Sequence, residues 1–253
     1  MDGKKRTESG FDAKREIDRI TEWIREWFSE NGPEANAVIG ISGGKDSSVC
    51  AALLIRALGS GRVLGVLMPD KEQADIADSH MIAEYLGLRH VTVNIGAATA
   101  ALTATLSEQF TLSKDSRINL PPRIRMTTLY AIAQSIPGGG RVANTCNLSE
   151  DYIGYSTKYG DAAGDFGILA DYTVKEVLMI GEELGLPGSL VHKTPSDGLS
   201  GLSDEDKIGF TYAALDRYIR EGICEDESIR EKIDRMHRLN EHKLKPIPHP
   251  SRN

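Results

Sequence analysis

The chain contains a short loop whose residue types suit it to bind phosphate groups. Residues 42–47 are Ser-Gly-Gly-Lys-Asp-Ser and stand between an apolar run and an Ala/Leu-rich segment. The two glycines let the backbone approach a ligand closely, and a helix that begins behind them presents free N–H groups and the positive end of its dipole. Serine hydroxyl groups add further donors. The sequence therefore predicts a phosphate site formed by Gly40, Ile41, Ser42, Gly43, Gly44, Lys45, Asp46 and Ser47.

Asp46 distinguishes this loop from the common nucleotide-binding loops. In a Walker A loop a serine or threonine follows the lysine and binds magnesium, whereas here Asp46 follows Lys45. The glycine spacing also differs from the dinucleotide-binding pattern. Because a carboxylate beside phosphates needs a cation between them, Asp46 predicts a Mg²⁺ ion held by the loop, with Lys45 as an auxiliary counter-charge. The alternative is a glycine-rich turn that only caps a helix.

Strand and helix patterns alternate along the chain on both sides of this loop. Short apolar runs predict strands, and amphipathic or Ala/Leu-rich segments predict helices. The predicted strands are 37–41, 63–68, 90–95 and 141–145, and the predicted helices are 14–30, 47–58, 75–86, 97–110, 126–135, 174–184, 204–220 and 227–242. Segments 111–122, 160–172 and 193–204 are expected to be irregular. The alternation indicates an α/β fold, a Rossmann-like open parallel sheet with helices on both faces and the ligand at the carboxyl ends of the strands.

Composition limits the partners that are open to the chain. It has 253 residues and a formal net charge of −7. The acidic balance argues against a nucleic-acid partner, and the lack of a long apolar run argues against a membrane. The three cysteines form no CxxC pair, so reduced thiols in a cytoplasm are the plain interpretation. We expect one domain over 1–253, with a flexible 1–13 and a Pro-rich tail at 244–253.

Six further segments, taken in chain order, match one enzyme family. The loop resembles the SGGxDS loop of the ATP pyrophosphatases, and the second half of the chain is similar to the ammonia-dependent NAD synthetases within them. The matching segments are 119–126 (N…RxRM), 145–150 (TxNxSE), 154–161 (GYxTKYGD), 192–199, Asp204-Glu205 with Gly209 and Tyr212, and His242-Lys243. The resemblance covers about residues 15–245. It implies the adenine nucleotide alpha-hydrolase-like fold and no glutaminase domain.

The resemblance implies an ATP-dependent ligase that forms a C–N bond. ATP would adenylate deamido-NAD, and free ammonia would then displace AMP to give NAD. The implied cofactor is Mg²⁺ on Asp46 and Glu150, and the implied partner is a second copy of the chain in a homodimer. Two alternatives stay open at this point: another adenylating enzyme with an SGGxDS loop, and a non-catalytic sensor of adenine nucleotides.

The resemblance also assigns roles to residues outside the loop. Asp46, Glu150 and Asp161 are expected to be catalytic, with Asp161 placed to help deprotonate ammonium. The additional contacts to ATP are expected from Arg125, Thr145, Lys175 and Ser196. The contacts to deamido-NAD are expected from Arg123, Lys158, Asp165, His242 and Lys243.

Some of these residues have a second interpretation. Arg123 and Arg125, beside a rigid Pro-Pro turn, suit bidentate phosphate contacts but would also suit a solvated helix start. The pair at 242–243 would also complement a helix dipole. The family pattern is broken at Asn144, where many members have glycine. Where many members have an ATP-binding lysine this chain has a valine, so either Lys175 moves into that place or another cation replaces it.

Overall fold

Five parallel strands form the sheet at the centre of the fold. The computed structural model describes residues 10–72, 76–193 and 203–250. The strands are β1 (Asn36–Gly40), β2 (Val63–Leu67), β3 (His90–Thr92), β4 (Gly140–Asn144) and β5 (Phe166–Gly167). Their order is β3-β2-β1-β4-β5, and every pairing is parallel. The strand order reverses between β1 and β4, so their carboxyl ends lie side by side at the position where open α/β sheets bind ligands.

Helices cover both faces of this sheet. They are α1 (Ala13–Asn31), α2 (Lys45–Leu58), α3 (Ile76–Tyr85), α4 (Gly96–Ser107), α5 (Lys114–Ser135), α6 (Leu148–Ile153), α7 (Val174–Glu183), α8 (Gly188–Val191), α9 (Asp204–Ile208), α10 (Tyr212–Glu221) and α11 (Glu227–Asn240). Ala37 and Ile39 of β1 pack in the core formed with α1, α2 and α7, whereas Val38 between them packs in the core formed with α5. This alternation confirms the predicted fold class.

A separate apolar cluster joins the helices that follow β4. Ile153 of α6, Val174 of α7, Leu215 of α10 and Ile233 of α11 are buried together. α6 leaves the carboxyl end of β4, so this cluster fixes the position of the 145–150 segment against the second half of the chain. The sequence did not predict α6, because a helix of six residues is too short to give a recognisable period.

The segment 111–122 is not irregular, and the predicted Pro-Pro turn is wrong. Pro121 and Pro122 lie inside α5. The φ of proline is close to that of a helix, so the main loss is of two backbone hydrogen bonds that prolines cannot donate. The carbonyl groups left without these donors belong to Arg117 and Ile118, which are exposed, so water can take their place. The first half of α5 is mostly polar, so the spacing of apolar residues does not reveal this part of the helix.

Three other predicted segments also differ from the structure. The segment 160–172 contains β5, which has two residues and therefore no detectable alternation. The predicted helix 204–220 is divided into α9 and α10 at Gly209, whose φ of 77° ends α9 in a left-handed cap. The predicted strand 90–95 ends at Thr92. Most of the predicted irregular segment 193–204 lies outside the described residues.

Part of the predicted flexible segment 1–13 lies within the described residues. Residues 10–13 make specific contacts there. The carboxylate of Asp12 accepts a hydrogen bond from the N–H of Arg15 at 3.1 Å and caps α1. The ring of Phe11 packs edge-on against that of Tyr172, with centroids 6.2 Å apart. Residues 1–9 and 251–253 lie outside the described ranges. No helix within those ranges has the length and apolar character needed to cross a membrane.

Candidate functional site

The SGGKDS loop joins β1 to α2 and is held in shape by its own hydrogen bonds. Gly43 has a φ of 77°, and a Cβ atom there would lie 2.7 Å from the backbone N of Ser79 in α3. Only glycine fits both conditions. The hydroxyl groups of Ser47 and Ser48 donate to the carbonyl oxygen of Gly44 at 3.2 and 2.7 Å. The free N–H groups at the start of α2 are therefore preorganised for an anion.

A lysine and two carboxylates meet at the start of α2. Lys45 Nζ lies 2.8 Å from Asp46 Oδ2 and 4.0 Å from Glu150 Oε1, and only 4% of Lys45 is exposed. Asn147 joins the two acidic residues: its Nδ2 donates to Asp46 Oδ1 at 3.0 Å, and its Oδ1 accepts from the N–H of Glu150 at 3.0 Å. The segments that follow β1 and β4 thus place Asp46 and Glu150 beside one shared cation, the ammonium of Lys45.

The charges of Lys45, Asp46 and Glu150 shift one another's pKa values. Burial raises the pKa of Glu150, the charge of Asp46 raises it further, and Lys45 opposes both effects. Burial alone would lower the pKa of Lys45, but the charges of Asp46 and Glu150 outweigh it and raise that pKa. The pKa of Glu150 remains raised, so the ammonium of Lys45 offsets the effects of burial and of Asp46 only in part.

The donor set suits the Mg²⁺ that the resemblance implies. Mg²⁺ prefers carboxylate oxygens and commonly uses one or two of them together with substrate phosphates and water. The ammonium of Lys45 lies between the carboxylates of Asp46 and Glu150, so both acidic groups face one cation position. No group of three or more His, Cys, Asp or Glu that could hold a metal occurs among the described residues. An ion here would therefore complete its coordination with oxygen atoms of water or of a nucleotide.

Asn144, at the end of β4, forms hydrogen bonds that hold the segment after α6 in place. Its Nδ2 donates to the carbonyl oxygens of Asp161 and Ala163 at 2.8 and 3.1 Å, and its Oδ1 accepts from the N–H of Cys146 at 2.8 Å. The same carbonyl of Asp161 accepts from Cys146 Sγ at 3.3 Å. Burial raises the pKa of Cys146 well above that of an ordinary thiol, so this cysteine packs and does not act as a nucleophile.

Replacing Asn144 with alanine is expected to lower the free energy of unfolding by about 1–3 kcal/mol, since the N–H of buried Cys146 and the carbonyl of half-buried Ala163 lose this partner. Urea unfolding followed by circular dichroism measures this change. Gln134 carries an exposed amide side chain on α5 and provides the control. Gln134→Ala should change the free energy of unfolding by less than about 0.5 kcal/mol. An unchanged midpoint for Asn144→Ala would show that water replaces all three bonds.

Asp161 and Lys243 lie close to each other beyond this segment. Asp161 Oδ1 accepts from the N–H of Thr157 at 2.9 Å. Burial raises the pKa of Asp161, and its hydrogen bonds with Thr157 and the charge of Lys243 oppose that rise. Lys243 Nζ donates to the carbonyl oxygens of Gly154 and Ser156 at 2.6 and 3.1 Å. The structure therefore brings the 154–161 segment and the C-terminal turn together.

The residues predicted to contact deamido-NAD divide into two groups. Arg123 Nε donates to the carbonyl of Lys158 at 3.2 Å, and Lys158 Nζ donates to the carbonyl of His242 at 2.9 Å. These three therefore lie together with Lys243. Asp165 lies apart, because its two oxygens accept from the N–H of Val142 within β4, at 2.7 Å, and from the hydroxyl of Tyr130, at 3.2 Å.

The remaining predicted ATP contacts lie at several points around the site. Arg125 Nε donates at 3.0 Å to the carbonyl of Met68, just beyond the carboxyl end of β2. Thr145 is half-buried and directly follows β4. Lys175 is exposed in the first turn of α7. Ser196 lies outside the described residues.

Asp216, to which the sequence gave no role, connects the three helices behind Glu150. It is 1% exposed on α10. Its Oδ1 accepts from the hydroxyl of Ser149 at 2.5 Å, and its Oδ2 accepts from the N–H of Lys175 at 2.8 Å. The hydroxyl of Ser149 in turn accepts from the N–H of Val174 at 3.1 Å. α6, α7 and α10 are thus tied together beside the carboxylate cluster. No sequence signal marks Asp216, because its partners are distant in the chain.

Asn147 and Tyr212 were also left without a role, although both stand in matched motifs. The spacing of Asn147 and Glu150 is that of a helix cap and could have indicated it. Tyr212 is 4% exposed, and its ring centroid lies 6.0 Å from Lys45 Nζ. Its hydroxyl is buried and has no hydrogen-bond partner within the described residues. Tyr212 thus forms part of the wall around the ammonium of Lys45.

A family model described as NAD synthase matches residues 16–251. The chain belongs to the NAD synthase family. An ammonia-dependent NAD(+) synthetase from Pyrococcus furiosus is 35% identical over 241 residues, which are 90% of this chain and 92% of that relative. The solved NMN synthetase from Francisella tularensis has a TM-score of 0.87 and 31% identity, covering 95% of this chain and 99% of that one. The solved NAD+ synthetase from Burkholderia pseudomallei has a TM-score of 0.75 and 28% identity, covering 92% and 90%.

Membership of the NAD synthase family agrees with the geometry and confirms the family that the motifs resemble. The matched region contains both the loop after β1 and the carboxylate that follows β4. The full-length coverage of the relatives also means that the resemblance extends over the whole fold and is not limited to the phosphate loop.

Proposed function

We propose that the chain amidates deamido-NAD with ammonia at the expense of ATP and so forms NAD, AMP and pyrophosphate. The observation that carries this function is the shared cation position of Asp46 and Glu150 at the strand-order reversal of an NAD synthase fold. Two carboxylates on one cation beside a phosphate loop suit the cleavage of ATP between its α and β phosphates. A nucleotide sensor without turnover would need no such pair.

In the first step a carboxylate oxygen of deamido-NAD attacks the α-phosphorus of ATP. The bond from that phosphorus to the bridging oxygen breaks, and pyrophosphate leaves. The N–H groups at the start of α2 and the ammonium of Lys45 stabilise its negative charge. Asp46 and Glu150 would hold Mg²⁺, which when bound supplies further neutralisation of the phosphates. No protein nucleophile takes part.

In the second step the nitrogen of ammonia attacks the carbonyl carbon of the adenylate. The C–O bond to AMP then breaks, the amide of NAD forms, and one proton must leave the nitrogen. We assign this proton to Asp161, whose pKa is raised by burial, which makes its carboxylate a stronger base than an ordinary aspartate. The enzyme would gain most of its rate by holding two anionic substrates together, with their charges neutralised.

We assign the remaining contacts by position. Arg125, Thr145, Lys175 and Ser196 would bind ATP. Arg123, Lys158, His242 and Lys243 would bind deamido-NAD, and their mutual hydrogen bonds support one common subsite. Asp165 would contact the substrate through the acceptor sites that its bonds to Val142 and Tyr130 leave free, since each carboxylate oxygen can accept a second hydrogen bond. We place the reaction in the cytoplasm with free ammonia as the nitrogen source.

One comparison favours a second acceptor. The Francisella tularensis structure that matches with a TM-score of 0.87 is described as an NMN synthetase. For this chain the corresponding acceptor would be deamido-NMN, whose pyridine carboxylate is the same as that of deamido-NAD. The chemistry of adenylation and amidation would be unchanged. Only the contacts beyond the first phosphate of the acceptor would differ.

One assay tests the function and both acceptors. The purified chain is incubated with ATP, Mg²⁺ and NH₄⁺ and with either deamido-NAD or deamido-NMN, and the products are separated by chromatography. We expect NAD, AMP and pyrophosphate in equal amounts, with a higher kcat/KM for deamido-NAD. A higher kcat/KM for deamido-NMN would change the acceptor. ADP with phosphate, or no turnover with either acceptor, would reject the proposed ligase activity.

We further propose that the chain forms a homodimer through α4 and α5. α4 has no charged side chain, and Leu102 is 41% exposed on it. An apolar groove between α4, α5 and β3 lies next to this residue and is lined by Val91, Ile124 and Ile132. An uncharged surface of this kind suits an identical surface on a second copy.

Sedimentation equilibrium is expected to give twice the chain mass of 27.6 kDa for the wild type. Leu102→Lys should shift the mass toward that of one chain, because two lysines would be buried at the two-fold interface. Leu239→Lys makes the same change at an exposed position of α11, outside the proposed interface, and should leave the mass at that of two chains. A wild-type mass of one chain at micromolar concentration would reject the dimer.

A further inference from the structure

The ammonium of Lys45 occupies the position that a metal ion would need. Its Nζ lies 2.8 Å from Asp46 Oδ2 and 4.0 Å from Glu150 Oε1. These are the two carboxylates of the proposed Mg²⁺ site. Lys45 is 4% exposed, so the ammonium is not a solvated surface charge that happens to lie nearby. The ring of Tyr212 closes one side, 6.0 Å from Nζ.

A lysine in this place and a divalent cation compete for the same oxygen atoms. While the ammonium is bound to Asp46 it blocks one carboxylate oxygen sterically, and its charge repels a second cation. The two carboxylates have no third acidic neighbour of metal-ligand geometry within the described residues. The nucleotide-free site is therefore balanced by an internal cation and has little to offer a free Mg²⁺ ion.

The position of Lys45 in the chain allows its ammonium to leave. Lys45 is the first residue of α2 and follows Gly44 in the phosphate loop. Its long unbranched stem has several rotamers, and its three N–H donors need no fixed orientation. Phosphate groups bound at the loop would attract the same ammonium away from Asp46. Lys45 thus has anionic partners in the protein and further ones in the ligand.

We propose that Lys45 is an internal substitute for the metal, which holds Asp46 and Glu150 together in the nucleotide-free protein and moves onto the phosphates when the metal–nucleotide complex binds. This inference rests on the proposed function, since it takes the two carboxylates as the metal ligands. Its consequence is that the metal enters with the nucleotide and not before it. The departing pyrophosphate then has the ammonium as a counter-charge.

Manganese binding tests the exchange without reference to catalysis. Free Mn²⁺ is titrated by electron paramagnetic resonance into the nucleotide-free wild type, Lys45→Met and Lys45→Arg. Met keeps most of the length of the stem and removes the charge, and Arg keeps the charge. We expect Lys45→Met to bind Mn²⁺ at least about tenfold more tightly than the wild type, because a neighbouring positive charge is removed. Lys45→Arg should bind it as weakly as the wild type.

A second neutral variant and a second measurement keep the outcomes distinct. Lys45→Gln should repeat the result of Lys45→Met, and circular dichroism establishes that each variant is folded. If the wild type forms NAD but binds Mn²⁺ as tightly as the folded neutral variants do, the role of Lys45 is overturned and the proposed function stays intact. If the wild type neither forms NAD nor binds Mn²⁺ in a nucleotide-dependent way, the proposed function is overturned. The exchange of Lys45 for the metal is then overturned with it.

Discussion

Asp46→Asn is expected to lower the rate of pyrophosphate release by at least about a thousandfold, because it removes an anionic ligand of the cation that stabilises the leaving group. The fold should remain, since the asparagine side chain has the same size and its oxygen can still accept the hydrogen bond that Asn147 Nδ2 gives to Asp46 Oδ1 at 3.0 Å. A coupled pyrophosphate assay measures the rate, and thermal unfolding measures the fold.

Two further variants make the Asp46 result specific. Glu150→Gln changes the second carboxylate in the same way and should also abolish release. Asp171→Asn changes an exposed carboxylate outside the site and should leave the rate unchanged. If Asp46→Asn kept more than about a tenth of the wild-type rate, the metal role of this carboxylate would have to be abandoned.

Asp216→Ala is expected to lower the free energy of unfolding by about 2–4 kcal/mol, because it leaves buried donors without an acceptor. Those donors are the hydroxyl of Ser149 and the N–H of Lys175, at 2.5 and 2.8 Å from the carboxylate. Urea unfolding measures the change. The variant should also lose activity at temperatures where it is still folded, since Ser149 precedes Glu150 in α6.

Two control variants separate the effect of losing the charge of Asp216 from the effect of its burial on the free energy of unfolding. Asp216→Asn keeps one acceptor oxygen in the same place and should be less destabilising than Asp216→Ala. Glu231→Ala removes an exposed carboxylate from α11 and should change the free energy of unfolding by less than about 0.5 kcal/mol. Similar values for Asp216→Ala and Glu231→Ala would mean that the helix contacts alone hold α6, α7 and α10 together.

The sequence was sufficient for the first four strands of the sheet because these strands carry local signals. β1 and β2 are short, mostly apolar segments, β4 has an apolar centre at Val142-Ala143, and the phosphate loop begins two residues after β1. Their alternation with helices determines a parallel sheet, since a right-handed crossover is the favoured connection. The motifs after β4 identified the NAD synthase family because their order and spacing are preserved along one chain.

The sequence was not sufficient where a structure depends on few residues or on distant partners. α5 continues through Pro121 and Pro122 because the exposed carbonyls can turn to water, which no local propensity expresses. β5 exists only because β4 provides its hydrogen-bond partners. Asn144 broke a family pattern in the sequence, yet in the fold it is the residue that fastens the 161–163 carbonyls.

The sequence by itself thus determined the chemistry of the loop, the fold class and the family, because these depend on residue types at short spacing. Tertiary structure alone decided which charges meet. Asp46 and Glu150 are about a hundred residues apart in the chain, and only the pairing of β1 with β4 brings them to one cation. In the nucleotide-free protein this pairing makes the ammonium of Lys45 the shared cation. Because Lys45 is buried, its ammonium is not solvated by water and bonds to the carboxylates instead.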